Sequence, residues 1–289
     1  MQDSKTNTES AWHSGQIVAW VVLLFVLLFL CVLPFILGGV SLQGLGKLSP
    51  SSPLFALCVA GMTLTGFTPM LSALIIVGFF PETGGVRPFL HQIRTWRVGM
   101  NWYALALFGP MVLLVLDAGV NMLLGGGPPK QWLVFPSPSN PGPGGLIFFI
   151  VQLVSGSAEE FGWRGFGLPR LQRLYGALKA SLLIGLIWGT YHLWIIPICP
   201  HCLSLTDILV TQYLRLIATS VIYGWMYNST KGSLCLVMVA HAGHNIATNV
   251  MPSVGGSPVI VALSYIAVAV VVVLMTKPQT LSRSSGKRP

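Results

Sequence analysis

The chain's 289 residues are 53% hydrophobic and only 8% charged, with a mean hydropathy of +0.74; this excludes a water-soluble domain, in which about a quarter of residues are charged. A net charge of +9 would suit nucleic acid, but the basic residues sit mostly as loop charges between apolar runs, so no nucleic-acid partner is expected. What remains is an all-α polytopic transmembrane bundle with the lipid bilayer as its solvent.

Crossing a bilayer core takes roughly 20 apolar residues. Runs of this kind place eight spans, near 16–40, 54–80, 101–124, 145–165, 180–198, 206–227, 233–250 and 257–276. The polar stretch Met1 to Gly15 holds a single Lys and leads into an apolar run too long for a signal-peptide core, so the first span is expected to be retained. Eight spans put both ends and the even-numbered loops on one side. That side then carries 13 of the 16 Lys and Arg: Lys5; Arg87, Arg94 and Arg97; Arg164, Arg170, Arg173 and Lys179; Lys231; and Lys277, Arg283, Lys287 and Arg288. Positive charge stays inside, which implies cytoplasmic termini; a bacterial plasma membrane is the expected location.

Residues 1–144 read as a three-span scaffold with an outer loop, 145–250 as the core that carries chemistry, and 251–289 as a final span with a basic tail. Between spans two and three, Pro81 to Arg97 places Arg87, His91 and Arg94 at helical spacing beside Phe89 and Trp96, the pattern of an interfacial basic segment. Gly165 to Lys179 has the same character. Gly125 to Gly145, rich in Gly, Pro and Ser, is the longest outer loop. No internal repeat is visible. Cys31, Cys58 and Cys235 lie in spans as apolar fillers. Cys199 and Cys202, in the outer sequence Cys-Pro-His-Cys, can form a disulfide or bind metal with His201, although two thiols and one imidazole fall short of a closed zinc site.

Ionisable groups inside spans cost about 2.5–3.5 kcal/mol each on insertion scales and are by default paired or functional. Here they cluster in the core. Glu160 and Arg164, four apart, share a helix face and can pair, while Glu159, turned by about 100°, is left to point elsewhere. A lone Glu/Arg pair often does no more than end a helix at the membrane surface. A second carboxylate beside it weakens that explanation, because adjacent carboxylates disfavour joint ionisation. Trp188 and His192 are four apart in the fifth span, and His241 and Asn245 are four apart in the seventh, where both can donate hydrogen bonds to a developing oxyanion. Arg215, inside a span, can pair with Asp117 or Asp207.

The sequence resembles the CAAX prenyl protease and bacteriocin-processing (CPBP/Abi) family of intramembrane proteases, which includes the type II CAAX endopeptidases. That family is marked by EExxxR, FxxxH and HxxxN on successive helices. Glu159, Glu160 and Arg164 match the first motif, His192 the second, and His241 with Asn245 the third; Trp188 stands where the family usually has Phe. The resemblance implies hydrolysis of a peptide bond in a membrane-associated or prenylated substrate. Glu159 and His192 would activate water, His241 and Asn245 would hold the oxyanion, and Glu160 with Arg164 would orient the helix and tune the base. His244 lies outside the pattern, with packing or a supporting hydrogen bond as its expected role.

No cofactor is expected. A zinc-dependent version has the right ligand count in two His and one Glu, but no H-E-x-x-H pair lies on one helix. Two further readings compete. A non-catalytic immunity or peptide-binding protein could use the same fold, and a transporter could use the same intramembrane charges, although no repeat of the transporter kind is visible.

Overall fold

Pro69 has no N–H to return to the carbonyl of Thr65, so the apolar run over 54–80 cannot continue as one straight helix. In the computed structural model, which describes residues 2–80, 84–134, 143–252 and 254–282, the run breaks into α2 (Pro53–Thr65) and α3 (Thr68–Phe79), bent by 72°. The freed carbonyl of Thr65 accepts from the hydroxyls of Thr68 at 2.8 Å and Tyr191 at 2.7 Å. Without such partners the kink would leave an unsatisfied polar group inside the bundle.

The protein is all-α. It runs α1 (Gln2–Gly38), α2, α3, α4 (Val86–His91), α5 (Met100–Leu123), α6 (Pro143–Glu160), α7 (Leu168–Tyr175), α8 (Ala177–Tyr191), α9 (Leu216–Ser229), α10 (Leu234–Val250) and α11 (Pro258–Met275). Two π-helical stretches interrupt this pattern, Phe161–Gly167 between α6 and α7 and Asp207–Arg215 before α9.

Among the described residues, five helical segments are long and apolar enough to cross a membrane: Ser14–Gly38, Met100–Leu123, Gly145–Tyr175, Ala177–Ile195 and Pro258–Met275. Counting α2 and α3 as one broken span makes six. The eight expected from hydropathy exceed this for a local reason. α10 is 17 residues long, and α9 has 14 regular residues behind a π-helical lead-in of nine. Both are short for a bilayer core that needs about 20.

The expected fourth span also does not end near residue 165. The π-helical stretch carries it into α7, and Arg164, expected at a loop, is fully buried. In α7, Leu168 and Leu171 pack into the core, while Arg170 bonds Gln16 at 2.9 Å and lies over the ring of Phe166. In the segment after α3, Phe89 points into the core, whereas Arg87, Arg94, Trp96 and Arg97 are exposed. The side chain of Lys5, residues 81–83, most of the outer-loop tip (135–142) and the basic tail from 283 lie outside the described residues.

The core is held by close helix crossings. α10 packs on α5 and α6, and α8 packs on α9. Gly243 allows the first of these: a Cβ there would meet the backbone carbonyls of Ala106 and Leu107 in α5, so the two backbones touch as small-residue membrane interfaces do. Gly162 does the same where the first π-helical stretch meets the backbone at Pro69. Both contacts bear on the residues described next.

Candidate active site

The end of α6 presents two adjacent carboxylates to different neighbours. Both are buried. Glu160 accepts from Nη1 of Arg164 through both oxygens, at 3.1 Å each, and its Oε1 also accepts from Nδ1 of His241 at 2.8 Å. The Arg164 guanidinium lies between two rings, 4.9 Å from the centre of Trp188 and 5.0 Å from that of Tyr223. Its charge is therefore met by a carboxylate on one edge and aromatic faces on its flanks.

Glu159 turns the other way, as the 100° rotation per residue requires. Its Oε2 accepts from two indole N–H groups, Trp163 at 3.0 Å and Trp188 at 3.1 Å. Oε1 takes no hydrogen bond among the described residues. One oxygen is fixed and the other is left to act.

His192 begins a short 3₁₀ turn, His192–Ile195, directly after α8. Its Nδ1 lies 2.9 Å from the carbonyl of Trp188. A carbonyl can only accept, so Nδ1 carries the proton and Nε2 presents a lone pair. The ring centre of Trp188 is 5.9 Å from that of His192 and 5.4 Å from that of His241. Trp188 therefore touches Glu159, Arg164 and both histidines.

His241 and Asn245, one turn apart on α10, face α6 at Gly156, where a Cβ would run into Nδ2 of Asn245 and Nε2 of His241. Asn245 donates from Nδ2 to the carbonyl of Gln152 at 3.2 Å. With Nδ1 of His241 donating to Glu160, this ring can donate from Nε2 only as an imidazolium.

Of the six residues singled out by sequence, Glu159, Glu160, Arg164 and His241 are buried and His192 and Asn245 half-buried, and Glu160 bonds both Arg164 and His241. Glu159 and His192 share no direct hydrogen bond; Trp188 lies between them. The expected pairing of Arg215 with Asp117 or Asp207 does not occur. Asp117 is bonded by Ser264 and Asp207 by the backbone and hydroxyl of Ser204, while Arg215 reaches His244 instead. Trp163 and Gly156 escape a reading of charges and motifs, the first because its role depends on an N–H, the second because its role is to be small. His244 makes supporting hydrogen bonds, to Arg215 and Tyr265, each at 3.0 Å.

Cys199 and Cys202 are joined as a disulfide, and Gln43 donates to Sγ of Cys199 at 2.8 Å. Among the described residues, no group of three or more His, Cys, Asp or Glu is arranged to hold a metal ion.

Residues 141–247 match the family model described as type II CAAX prenyl endopeptidase Rce1-like. Over 103 residues the chain is 27% identical to CAAX prenyl protease 2 of Methanococcus maripaludis, a match that covers 33% of this chain and 36% of that protein. The chain thus aligns with about a third of the length of the curated relative it matches. The matched stretch contains Glu159, Glu160, Arg164, His192, His241 and Asn245. From the approach to α6 through most of α10, the chain is homologous to the Rce1-like type II CAAX prenyl endopeptidases.

Proposed function

We propose that the protein is an intramembrane endopeptidase that hydrolyses a peptide bond in a prenylated or otherwise membrane-associated substrate of the CAAX type. The observation that carries this reading is the meeting of Glu159, His192 and the Glu160-bonded His241 around the ring of Trp188, within the stretch homologous to the endopeptidases.

The chemistry runs through these groups. A water held between Oε1 of Glu159 and Nε2 of His192 gives its proton to Glu159 as its oxygen adds to the scissile carbonyl carbon. The carbonyl oxygen becomes an oxyanion that accepts from Nε2–H of a protonated His241 and from Nδ2 of Asn245. Collapse breaks the C–N bond, and Glu159 returns the proton to the leaving amine, giving a carboxylic acid and a free amine. Glu160, itself held by Arg164, keeps His241 in place. On this reading α9 and α10 complete the eight spans, with both termini cytoplasmic.

The test compares wild type, Glu159→Gln and His192→Ala in membranes, with and without a zinc chelator, following release from a farnesylated reporter peptide by mass spectrometry. Loss in both variants with chelator resistance is the expected result. Release that the chelator abolishes would move the reading to metal-assisted hydrolysis. Release that neither variant changes, with both proteins inserted, would leave a binding or immunity protein.

A further inference from the structure

Arg215 closes the second π-helical stretch, and among the described residues its charge has no counter-ion. Its Nη1 donates to Nε2 of His244 at 3.0 Å. Nε2 is then the unprotonated nitrogen, and the proton on Nδ1 points to the hydroxyl of Tyr265, 3.0 Å away. A histidine in this tautomer is neutral. Among the described residues, no carboxylate oxygen lies within 4.0 Å of the Arg215 guanidinium, and its Nε is buried without a partner. Cations inside a membrane bundle are costly and normally paired. Arg164 follows that rule through Glu160; Arg215 does not, and Asp207, at the start of its own stretch, and Asp117 on α5 are engaged elsewhere.

The position of Arg215 indicates which anion it awaits. His244 follows His241 by three residues on α10, about 4.5 Å along the helix axis. The Arg215–His244 pair therefore stands within about one turn of the proposed oxyanion donor. A peptide bond among the last four residues of a peptide lies within about 10 Å of that peptide's own α-carboxylate. A guanidinium matches a carboxylate with two parallel N–H donors, and Arg215 is partly exposed, whereas His244 and Tyr265, which orient it, are buried.

We propose that Arg215, positioned by His244 and Tyr265, receives the free C-terminal carboxylate of the substrate and so confines the site to chain ends. The identity of the ligand rests on the endopeptidase reading above; the uncompensated cation does not.

The experiment uses a fluorescent farnesylated CAAX-type tetrapeptide made as the free acid and as the C-terminal amide. Binding of each is measured to the full chain in detergent micelles, as Glu159→Gln to prevent turnover, alone and combined with Arg215→Gln or Arg215→Lys. The acid should bind about tenfold to a hundredfold tighter than the amide, the range for a hydrogen bond to a charged group. Arg215→Gln should bring both to the amide's level, and Arg215→Lys should keep part of the preference. Equal binding of acid and amide by the parent protein overturns the proposal, so a variant that fails to fold cannot shelter it. A preference that survives in folded Arg215→Gln overturns it as well. Hydrolysis by the wild type is scored separately. Tight, acid-selective binding without hydrolysis leaves the carboxylate receptor standing and removes the endopeptidase reading, whereas equal hydrolysis of acid and amide does the reverse.

Discussion

The indole nitrogen of Trp188 donates to Oε2 of Glu159 across 3.1 Å, from α8 to the end of α6. A phenylalanine at this position could supply the ring but not this bond. Trp163 supplies a second N–H to the same oxygen at 3.0 Å, so Glu159 is held by a pair of donors with its other oxygen left open. Trp188→Phe should keep the ring contacts to Arg164, His192 and His241 and lower kcat/KM about tenfold, the effect of one lost hydrogen bond to a buried group. Trp188→Leu removes ring and donor together and should cost clearly more. Steady-state cleavage of a farnesylated reporter by the two variants checks this; equal losses would show that the ring contributes nothing beyond the N–H.

The division of labour between Glu159 and Glu160 was legible in the sequence because it is local: helix geometry alone sends residues 160 and 164 to one face and 159 to another. What crosses between helices was not legible. Nothing in the spacing says that Glu160 reaches His241, that two tryptophans hold Glu159, or that Arg215 passes over both nearby acids for His244. The span count was blurred by backbone features to which hydropathy is blind. The π-helical stretches over Phe161–Gly167 and Asp207–Arg215 have no hydropathic signature, and they merge or interrupt apolar runs. Pro69 was visible, but an apolar average hides the broken hydrogen bond that bends α2 from α3.

Arg164 and Glu160 form a fully buried ion pair, and breaking one side of such a pair strands the other charge. Arg164→Met should destabilise the protein by about 3–5 kcal/mol. Replacing both partners, as Glu160→Gln with Arg164→Met, should recover much of that stability because no lone charge remains. Activity should not return in the double variant, since His241 has lost the carboxylate that holds its Nδ1. Thermal unfolding in detergent, read beside turnover, separates the two effects. Recovery of both would reduce the pair to a structural brace.

Gly156 on α6 faces His241 and Asn245, and a Cβ there would overlap the amide nitrogen of Asn245. Gly156→Ala adds one methyl group in the middle of a helix, where Ala is favoured by about 1 kcal/mol over Gly. The helix should therefore tolerate it while the two donors are pushed off the oxyanion position. The expected result is an unchanged or slightly raised melting temperature with kcat reduced at least tenfold, because hydrogen-bond donation to an oxyanion is sensitive to small displacements. A fall in melting temperature of the same order as that in activity would mean instead that the crossing of α6 and α10 has been forced apart.

The Cys199–Cys202 disulfide lies a few residues beyond His192, past the 3₁₀ turn that ends α8. Ile198, buried between them, packs with Val32, Phe35 and Cys58 and accepts from the backbone N–H of Leu42 at 2.9 Å. The segment after His192 is thus fastened twice, by the disulfide and by this apolar contact with α1 and α2. A loop this short gains only about 2 kcal/mol from cross-linking on the chain-entropy model. Cys199→Ser with Cys202→Ser should therefore lower the melting temperature by a few degrees and leave the protein folded. Cleavage should fall by less than tenfold, because Nδ1 of His192 remains held by the Trp188 carbonyl, a contact independent of the loop. Treatment of the wild type with a thiol reductant should reproduce both changes. A complete loss of activity in the folded double variant would show that the orientation of His192 depends on the cross-link rather than on α8.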